Sequence, residues 1–298
     1  MTATVALLGL GEVGSVLAED LAGVKLTAWD VALADGASAA SRTAKRFSLV
    51  SGVDAHDAVR EADLVISAVT AANDLVAARS VADGLPAGCW FLDLNSAAPG
   101  QKQAAAEVVE AAGGRYVESA VMSPIHPKRL AAPMLLGGPH AAEFVEFARP
   151  LGFTGLEVYA DVVGRAAATK LCRSVVIKGV EALLAESLLA AREWGVEGRV
   201  LASLSNLLPA DDWQQLAAYM ISRSLEHGVR RAEELREAAV TVAETGVEPV
   251  MAEAIARRQD WAAAHRPADL GELEKQLLPL LDAVRTRMSE EDPKGDPE

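Results

Sequence analysis

The chain has 298 residues, 51% of them hydrophobic, a formal net charge of −14 and a pI near 4.9. That length supports one large or two medium domains with real cores, and the acidic balance argues against nucleic acid or an anionic membrane as partner, while leaving room for a small anionic substrate in a local cationic pocket. Cys89 and Cys172 form neither a disulfide framework nor a metal-ligand spacing, no basic segment precedes the N-terminal apolar run, and no apolar stretch is long enough to span a bilayer; the expectation is a soluble, cytoplasmic protein with no signal peptide and no metal.

In chain order, the apolar run Val5–Leu8 feeds Gly9-Leu10-Gly11-Glu12-Val13-Gly14 and then a helical pattern from Ser15 to Leu21. Strand, glycine turn and helix together form a dinucleotide signal. Gly9 permits the tight turn, Gly11 lets backbone approach a pyrophosphate, and Gly14 lets helix and strand pack closely. Phosphates would rest on the helix N-terminus. A second apolar run ends at Asp30, 21 residues beyond Gly9. A carboxylate there accepts hydrogen bonds from the adenosine ribose hydroxyls and repels the extra phosphate of NADP, which favours NAD. Arg42, Lys45 and Arg46 would favour NADP if they reached the same ribose; they read better as a solvated face.

Short apolar runs continue at Leu64–Ala68, Trp90–Leu92, Arg115–Glu118, Met134–Leu136 and Leu156–Tyr159, with helical stretches at Asp74–Ala82, Gln101–Ala112 and Ala141–Ala148. This alternation predicts an α/β, Rossmann-type doubly wound sheet over residues 1–163. From Arg165 to Trp194 there is no proline and one glycine, enough for about 45 Å of interdomain helix. An all-α C-terminal domain over 164–288 is predicted to follow, with helices at Val200–Leu207, Trp213–Leu225, Arg230–Thr245, Pro249–Ala264 and Leu270–Met288, punctuated by Pro209, Gly228 and Pro267. Residues 289–298 read as a disordered tail. The helices carry enough Ala and Leu to suggest a homodimer.

Polar residues gather at four places. At about 100° per residue, Lys170, Ser174 and Lys178 fall within an 80° arc of one helix, with Arg173 to one side. A cationic stripe on an apolar helix is costly unless it meets an anion or reaches water. Asn95 and Ser96 follow one strand and Val69-Thr70 another, where doubly wound sheets bind ligands; Thr70 suits a ribose, and Asn95 or Ser96 could equally cap the helix begun by Pro99. Ser123, His126 and Arg129 follow a third strand and could line a pocket, although His126 reads more simply as a loop residue. His227, Arg230 and Arg231 sit among acidic residues, where surface pairing is the simpler reading and access to a site the weaker one.

The glycine turn, Asp93-Leu-Asn-Ser-Ala-Ala-Pro99, the Val121-Met-Ser123 loop and Gly164…Lys170…Ser174 together resemble the β-hydroxyacid dehydrogenase superfamily, which includes 3-hydroxyisobutyrate and 6-phosphogluconate dehydrogenases. Arg173–Glu186 and Glu226-His-Gly-Val-Arg-Arg look like a branch whose C-terminal domain has no known function. The resemblance implies a Rossmann-type domain, a long connecting helix, a helical domain, a site in the cleft between them, and Lys170 as the catalytic lysine. Three positions depart from the family pattern. Ser174 stands where asparagine is usual, Met122-Ser123-Pro124 where Ser-Gly-Gly is usual, and Asn95-Ser96 where Ser-Thr is usual. Met122 and Pro124 remove a hydroxyl and a backbone donor, so the substrate cradle is altered.

The resulting expectation is an NAD(P)-dependent oxidoreductase acting on a small hydroxy acid. Lys170 would move the hydroxyl proton, its pKa pushed down toward the useful range by partial burial and by the charges of Arg173 and Lys178. Asn95, Ser96, Met122, Ser123, Arg173, Ser174 and Lys178 would contact substrate. Gly9 to Gly14, Asp30, Val69, Thr70 and Asn95 would hold the cofactor. Imine or carbonyl reduction on the same frame, and a non-catalytic dinucleotide sensor, are the alternatives.

Overall fold

The computed structural model describes residues 3–204 and 211–291. The chain divides into two compact units, Met1–Leu171 and Cys172–Glu298. The first unit runs β1 (Thr4–Leu8), α1 (Glu12–Asp20), β2 (Lys25–Trp29), α2 (Ala39–Arg46), β3 (Val50–Ser51), α3 (Ala55–Val59), β4 (Leu64–Ser67), α4 (Asp74–Val81), β5 (Trp90–Asp93), α5 (Pro99–Ala111), β6 (Arg115–Val121), β7 (Met134–Gly137), α6 (Ala141–Ala148) and β8 (Leu156–Ala160). The strands form one sheet in the order β3-β2-β1-β4-β5-β6-β7-β8. All neighbours are parallel except β6 and β7.

Alternation along the strands explains why both faces are covered. Val5 and Leu7 of β1, with Leu64, Ile66, Trp90 and Leu92, pack on one face against Val16, Leu17 and Phe144 of α1 and α6. Ala6 and Leu8, with Val65 and Phe91, pack on the other against Val59, Val81 and Val109 of α3, α4 and α5. A strand buried on both sides reads as a continuous apolar run. Each such Leu, Ile or Phe contributes about 1.5–3 kcal/mol by leaving water. The two-residue β3 has no apolar run to reveal it, and the sequence did not show it.

Helix α7 (Arg165–Glu193) starts in the first unit and continues into the second. The division between the two compact units falls within α7, between Leu171 and Cys172. Its opening turn is tied to the sheet, since Glu118 of β6 accepts the backbone N–H groups of Gly164 and Ala167 at 2.7 and 2.6 Å.

The second unit adds α8 (Glu197–Leu204), α9 (Trp213–Ala243), α10 (Val250–Ala264), α11 (Leu270–Leu273) and α12 (Leu277–Glu291). Leu184, Leu188, Leu201, Ile221, Leu225, Leu280 and Leu281 make its core. The helix expected at Val200–Leu207 starts earlier, at Glu197; its last three positions and Pro209 lie outside the described residues. Gly228 does not separate two helices, because α9 runs through it unbroken. A Cβ at Gly228 would stand 2.3 Å from the Gln259 carbonyl oxygen of α10. The glycine therefore serves close helix packing, and its modest helix penalty of about 1 kcal/mol is outweighed. The segment expected as one helix from Leu270 breaks after Leu273 and resumes at Leu277. Helix α12 continues to Glu291, three residues into the expected disordered tail; the rest of that tail lies outside the described residues. Among the described residues no helix is long and apolar enough to cross a membrane.

Candidate functional site

Strand order reverses beside β1, between β1 and β4, and the loops after β1, β4, β5 and β6 leave the same edge of the sheet. Ligands of doubly wound folds bind at such a switch point. Gly9 leaves β1 with φ +90°, and a Cβ there would lie 2.4 Å from the Ala68 carbonyl oxygen after β4. A Cβ on Gly14 would lie 2.0 Å from the carbonyl oxygen of Gly9. Both glycines are demanded by the protein's own packing. Gly11 differs, because nothing stands within 4 Å of the Cβ it lacks. It is exposed, it is the N-cap of α1, and no side chain caps that helix. The open backbone at Gly11, facing a nine-residue helix with Leu10, Glu12 and Val13 around it, fits a pyrophosphate.

Asp30 is half-buried at the end of β2. Its two carboxylate oxygens accept the Leu10 and Ala32 N–H groups at 2.7 and 2.8 Å. The side chain thereby braces the glycine turn, and each oxygen keeps a lone pair for a ribose hydroxyl. Arg42 donates to the Ala37 carbonyl and Lys45 to that of Gly36 at 3.2 Å, while Arg46 lies over the Phe47 ring. These bases thus serve the connection around α2.

After β4, Val69 N–H donates to Asn95 Oδ1 at 2.7 Å, and exposed Thr70 accepts Asn73 Nδ2 at 2.8 Å. Asn95 was expected to meet ligand beside Ser96. Instead it is buried and spends both amide hydrogens internally, on Ser67 Oγ at 2.9 Å and Asp74 Oδ1 at 2.6 Å. Neither residue caps α5, whose N-cap is Ala98. Ser96 Oγ accepts Lys170 Nζ at 2.6 Å, across 74 residues of chain. Lys170 is half-buried on the second turn of α7.

After β6, the Met122 N–H is taken by the Pro133 carbonyl at 2.8 Å, and Ser123 Oγ donates to the Pro124 carbonyl at 3.1 Å. Both residues are half-buried, and His126 is exposed. Arg129 does not line this loop. It turns to Asp20 and Glu19 of α1, at 2.6 and 3.0 Å, and these acids hold its guanidinium pKa above the usual range.

Beneath the loop after β5 lies a buried polar group that the motifs did not reveal. Asp93 accepts the Lys102 ammonium and the Tyr116 hydroxyl, each at 2.6 Å. Burial first, opposed by Lys102 and reinforced by Asp93, pushes Asp74 up to about 7. Burial likewise raises Glu118, against the pull of the α7 backbone N–H groups it accepts. Two signals were available in hindsight: Asp93 and Glu118 interrupt apolar strands in register, and Lys102 shares a helix stripe with Ala105, Ala106 and Val109.

In the second unit Arg173 is exposed and Ser174 buried. Lys178, expected to meet substrate, is buried and pairs with Glu234 of α9. Burial lowers its pKa, with Glu234 opposing. Arg231 pairs with buried Glu181, and Gln259 Nε2 donates to Glu181 at 3.4 Å. A groove of about 400 Å³ is lined by Leu225, His227, Arg230, Glu233, Ala263 and Arg266 among others; burial, then Arg223, lowers the His227 pKa. Cys89 is buried, its thiol raised to about 12 by burial, and Cys172 is exposed, so packing explains only the first. Among the described residues no cluster of three His, Cys, Asp or Glu side chains is placed to hold a metal ion.

Residues 4–150 match the family model described as the NAD binding domain of 6-phosphogluconate dehydrogenase. Residues 191–262 match a domain of unknown function, DUF1932. A conserved hypothetical protein from Sinorhizobium meliloti 1021 is 34% identical, with 96% of this chain and 97% of that one covered at a TM-score of 0.77. A conserved protein of unknown function, described as structurally similar to 3-hydroxyacid dehydrogenases, is 29% identical over 91% of this chain and 99% of that one, at 0.70. The 3-hydroxyisobutyrate dehydrogenase of Mycobacterium tuberculosis, solved with L-serine, shares the fold at 19% identity over 96% and 99%, with a TM-score of 0.73. No curated protein matches the chain in sequence.

Proposed function

The chain belongs to the β-hydroxyacid dehydrogenase superfamily, in the branch with the DUF1932 domain, and from that premise we propose that it interconverts a small hydroxy acid and its carbonyl form, with Lys170 as the general acid–base. The family and its NAD-binding domain make it an NAD(P)-dependent oxidoreductase. The finer reading rests on one observation, the contact of Lys170 Nζ with Ser96 Oγ at the ligand-binding edge of the sheet. The turn from Gly9 to Gly14, Asp30, Val69 and Thr70 would hold the dinucleotide. When bound, its nicotinamide supplies the hydride acceptor or donor.

Ser96 accepts one ammonium hydrogen, which gives Lys170 Nζ a direction at the edge where a substrate hydroxyl would be met. In the oxidation direction neutral Lys170 takes the hydroxyl proton; in reduction the ammonium returns it. Ser123 stands at the end of β6, on the same edge, to orient the acid. Asp30 favours NAD, because a second phosphate on the ribose would face its carboxylate.

The test is reduction of NAD and NADP with a panel of 3-hydroxy acids, wild type beside Lys170→Ala. The variant should bind cofactor normally and lose turnover by about 10²–10⁴-fold. Equal turnover in both would overturn the role of Lys170. Cofactor binding without turnover across the panel would replace hydroxy-acid chemistry with imine reduction or with a non-catalytic dinucleotide sensor.

A further inference from the structure

The polar group beneath Ser96 is expensive. Asp93 and Lys102 are fully buried, and Asp74 is 1% exposed. An ion pair withdrawn from water rarely stabilises a fold more than apolar side chains of the same volume would. Asp74 also lies within hydrogen-bond reach of a second buried carboxyl, Asp93. Apolar residues could fill the space between α4, α5 and β5 at less cost. They could not give direction.

Direction is what these bonds share. Asp93 receives three donors: Lys102 Nζ, the Tyr116 hydroxyl and the Asn95 backbone N–H, the last at 2.9 Å. Lys102 also reaches the Asp93 carbonyl at 3.4 Å. Asp74 receives the Asn95 side chain. The amide of Asn95 is therefore held on both hydrogens and its oxygen, its backbone N–H is held by Asp93, and the following residue is Ser96. Asn95 Oδ1 in turn accepts the Val69 N–H, after β4.

We propose that Lys102 and Asp74 are positioning residues for the Ser96–Lys170 pair: Lys102 fixes the Asp93 carboxylate, Asp74 fixes the Asn95 amide, and together they set where Ser96 Oγ meets Lys170 Nζ. Neither touches a ligand. The bearing of this arrangement on turnover rests on the acid–base reading of Lys170, whereas the labelling of Lys170 does not.

The experiment is competitive acetylation of Lys170 by acetic anhydride between pH 6 and 11, read by mass spectrometry of its peptide against a free-amine standard. Ser96→Ala removes an acceptor that favours the ammonium and should lower the labelling midpoint by about half a pH unit. Lys102→Met and Asp74→Leu should move it the same way. Asp74→Asn keeps an acceptor oxygen for Asn95 and should restore the wild-type midpoint. Tyr116→Phe deletes one donor to Asp93 while keeping the ring, and carries the test if the bolder variants do not fold. Folded variants, judged by cooperative unfolding and retained NAD binding, that label Lys170 as wild type does would reduce the cluster to core structure. Equal shifts in Asp74→Asn and Asp74→Leu would overturn the role of the Asn95 bond. Turnover unaffected by Lys170→Ala would remove the acid–base reading while leaving the labelling result intact.

Discussion

Lys170 and Lys178 lie on one helix, two turns apart, and offer the same signal in sequence: a lysine on a stripe of apolar neighbours. Their surroundings separate them. Lys170 is half-buried with a neutral partner, Ser96, whose loop is braced by buried acids. Lys178 is buried with a charged partner, Glu234, beside a second pair, Arg231 and Glu181. A hydroxyl orients an ammonium without consuming its charge. A carboxylate neutralises it. A cation on an apolar helix is thus a question that only its partner answers.

Exchanging readouts between the two lysines would break the comparison. Lys170→Ala is expected to cost about 10²–10⁴-fold in turnover, while loss of its partly solvated bond to Ser96 should itself cost about 1 kcal/mol of stability or less. Lys178→Met should do its damage to folding. It removes the buried ammonium from a pair whose Glu234 side chain is 25% exposed, so the loss should fall near the lower end of the range for a broken buried pair, about 3 kcal/mol. Urea unfolding of the two variants decides it. A Lys178→Met protein as stable as wild type would show the pair to be ornamental.

Gly228 sharpens the same contrast from the side of packing. Its missing Cβ admits the Gln259 backbone of α10, and Gln259 donates to Glu181 of the ion-pair cluster. Gly228→Ala should cost about 1–3 kcal/mol through forced separation of α9 and α10, seen as a lower urea midpoint. Gly23→Ala, in open space, is the control and should change the midpoint little.

What the sequence disclosed follows from the kind of constraint each residue obeys. The turn at Gly9 and Gly14 was legible because backbone approach excludes every side chain, and that exclusion leaves glycines at fixed spacing. Strands buried on both faces were legible as apolar runs, and α7 as a long stretch without breakers. Gly228 was misread because local propensity and tertiary packing use the same residue for opposite ends. Asp74, Lys102 and Glu118 were passed over because a charged residue in sequence looks solvated until its partners are known. Asn95 was assigned to ligand on its place after β5, beside Ser96; only the bonds to Asp74, Ser67 and Val69 show that its amide faces inward.

A further expected effect concerns the charge state of that inward-facing group. Asp74 is raised from 3.8 to about 7, mainly by burial. Between those values the folded protein holds a proton that the unfolded chain has released, so stability falls as pH rises through this window. The slope can approach but not exceed about 1.4 kcal/mol per pH unit for a single group. Asp74→Asn abolishes the titration while retaining an acceptor for Asn95, so its stability curve should lack this component. The groups facing Asp74 are Asp93, Lys102 and, more distantly, Tyr116, whose own pKa is raised well above its ordinary value by burial and by these acids. Lys102 opposes the shift, so Lys102→Met should push the Asp74 transition higher still. Urea midpoints at half-unit steps from pH 4.5 to 8 test the sign directly. If the wild-type and Asp74→Asn curves run parallel, Asp74 keeps one protonation state across the window, and its oxygen holds Asn95 with a charge that does not change near neutral pH.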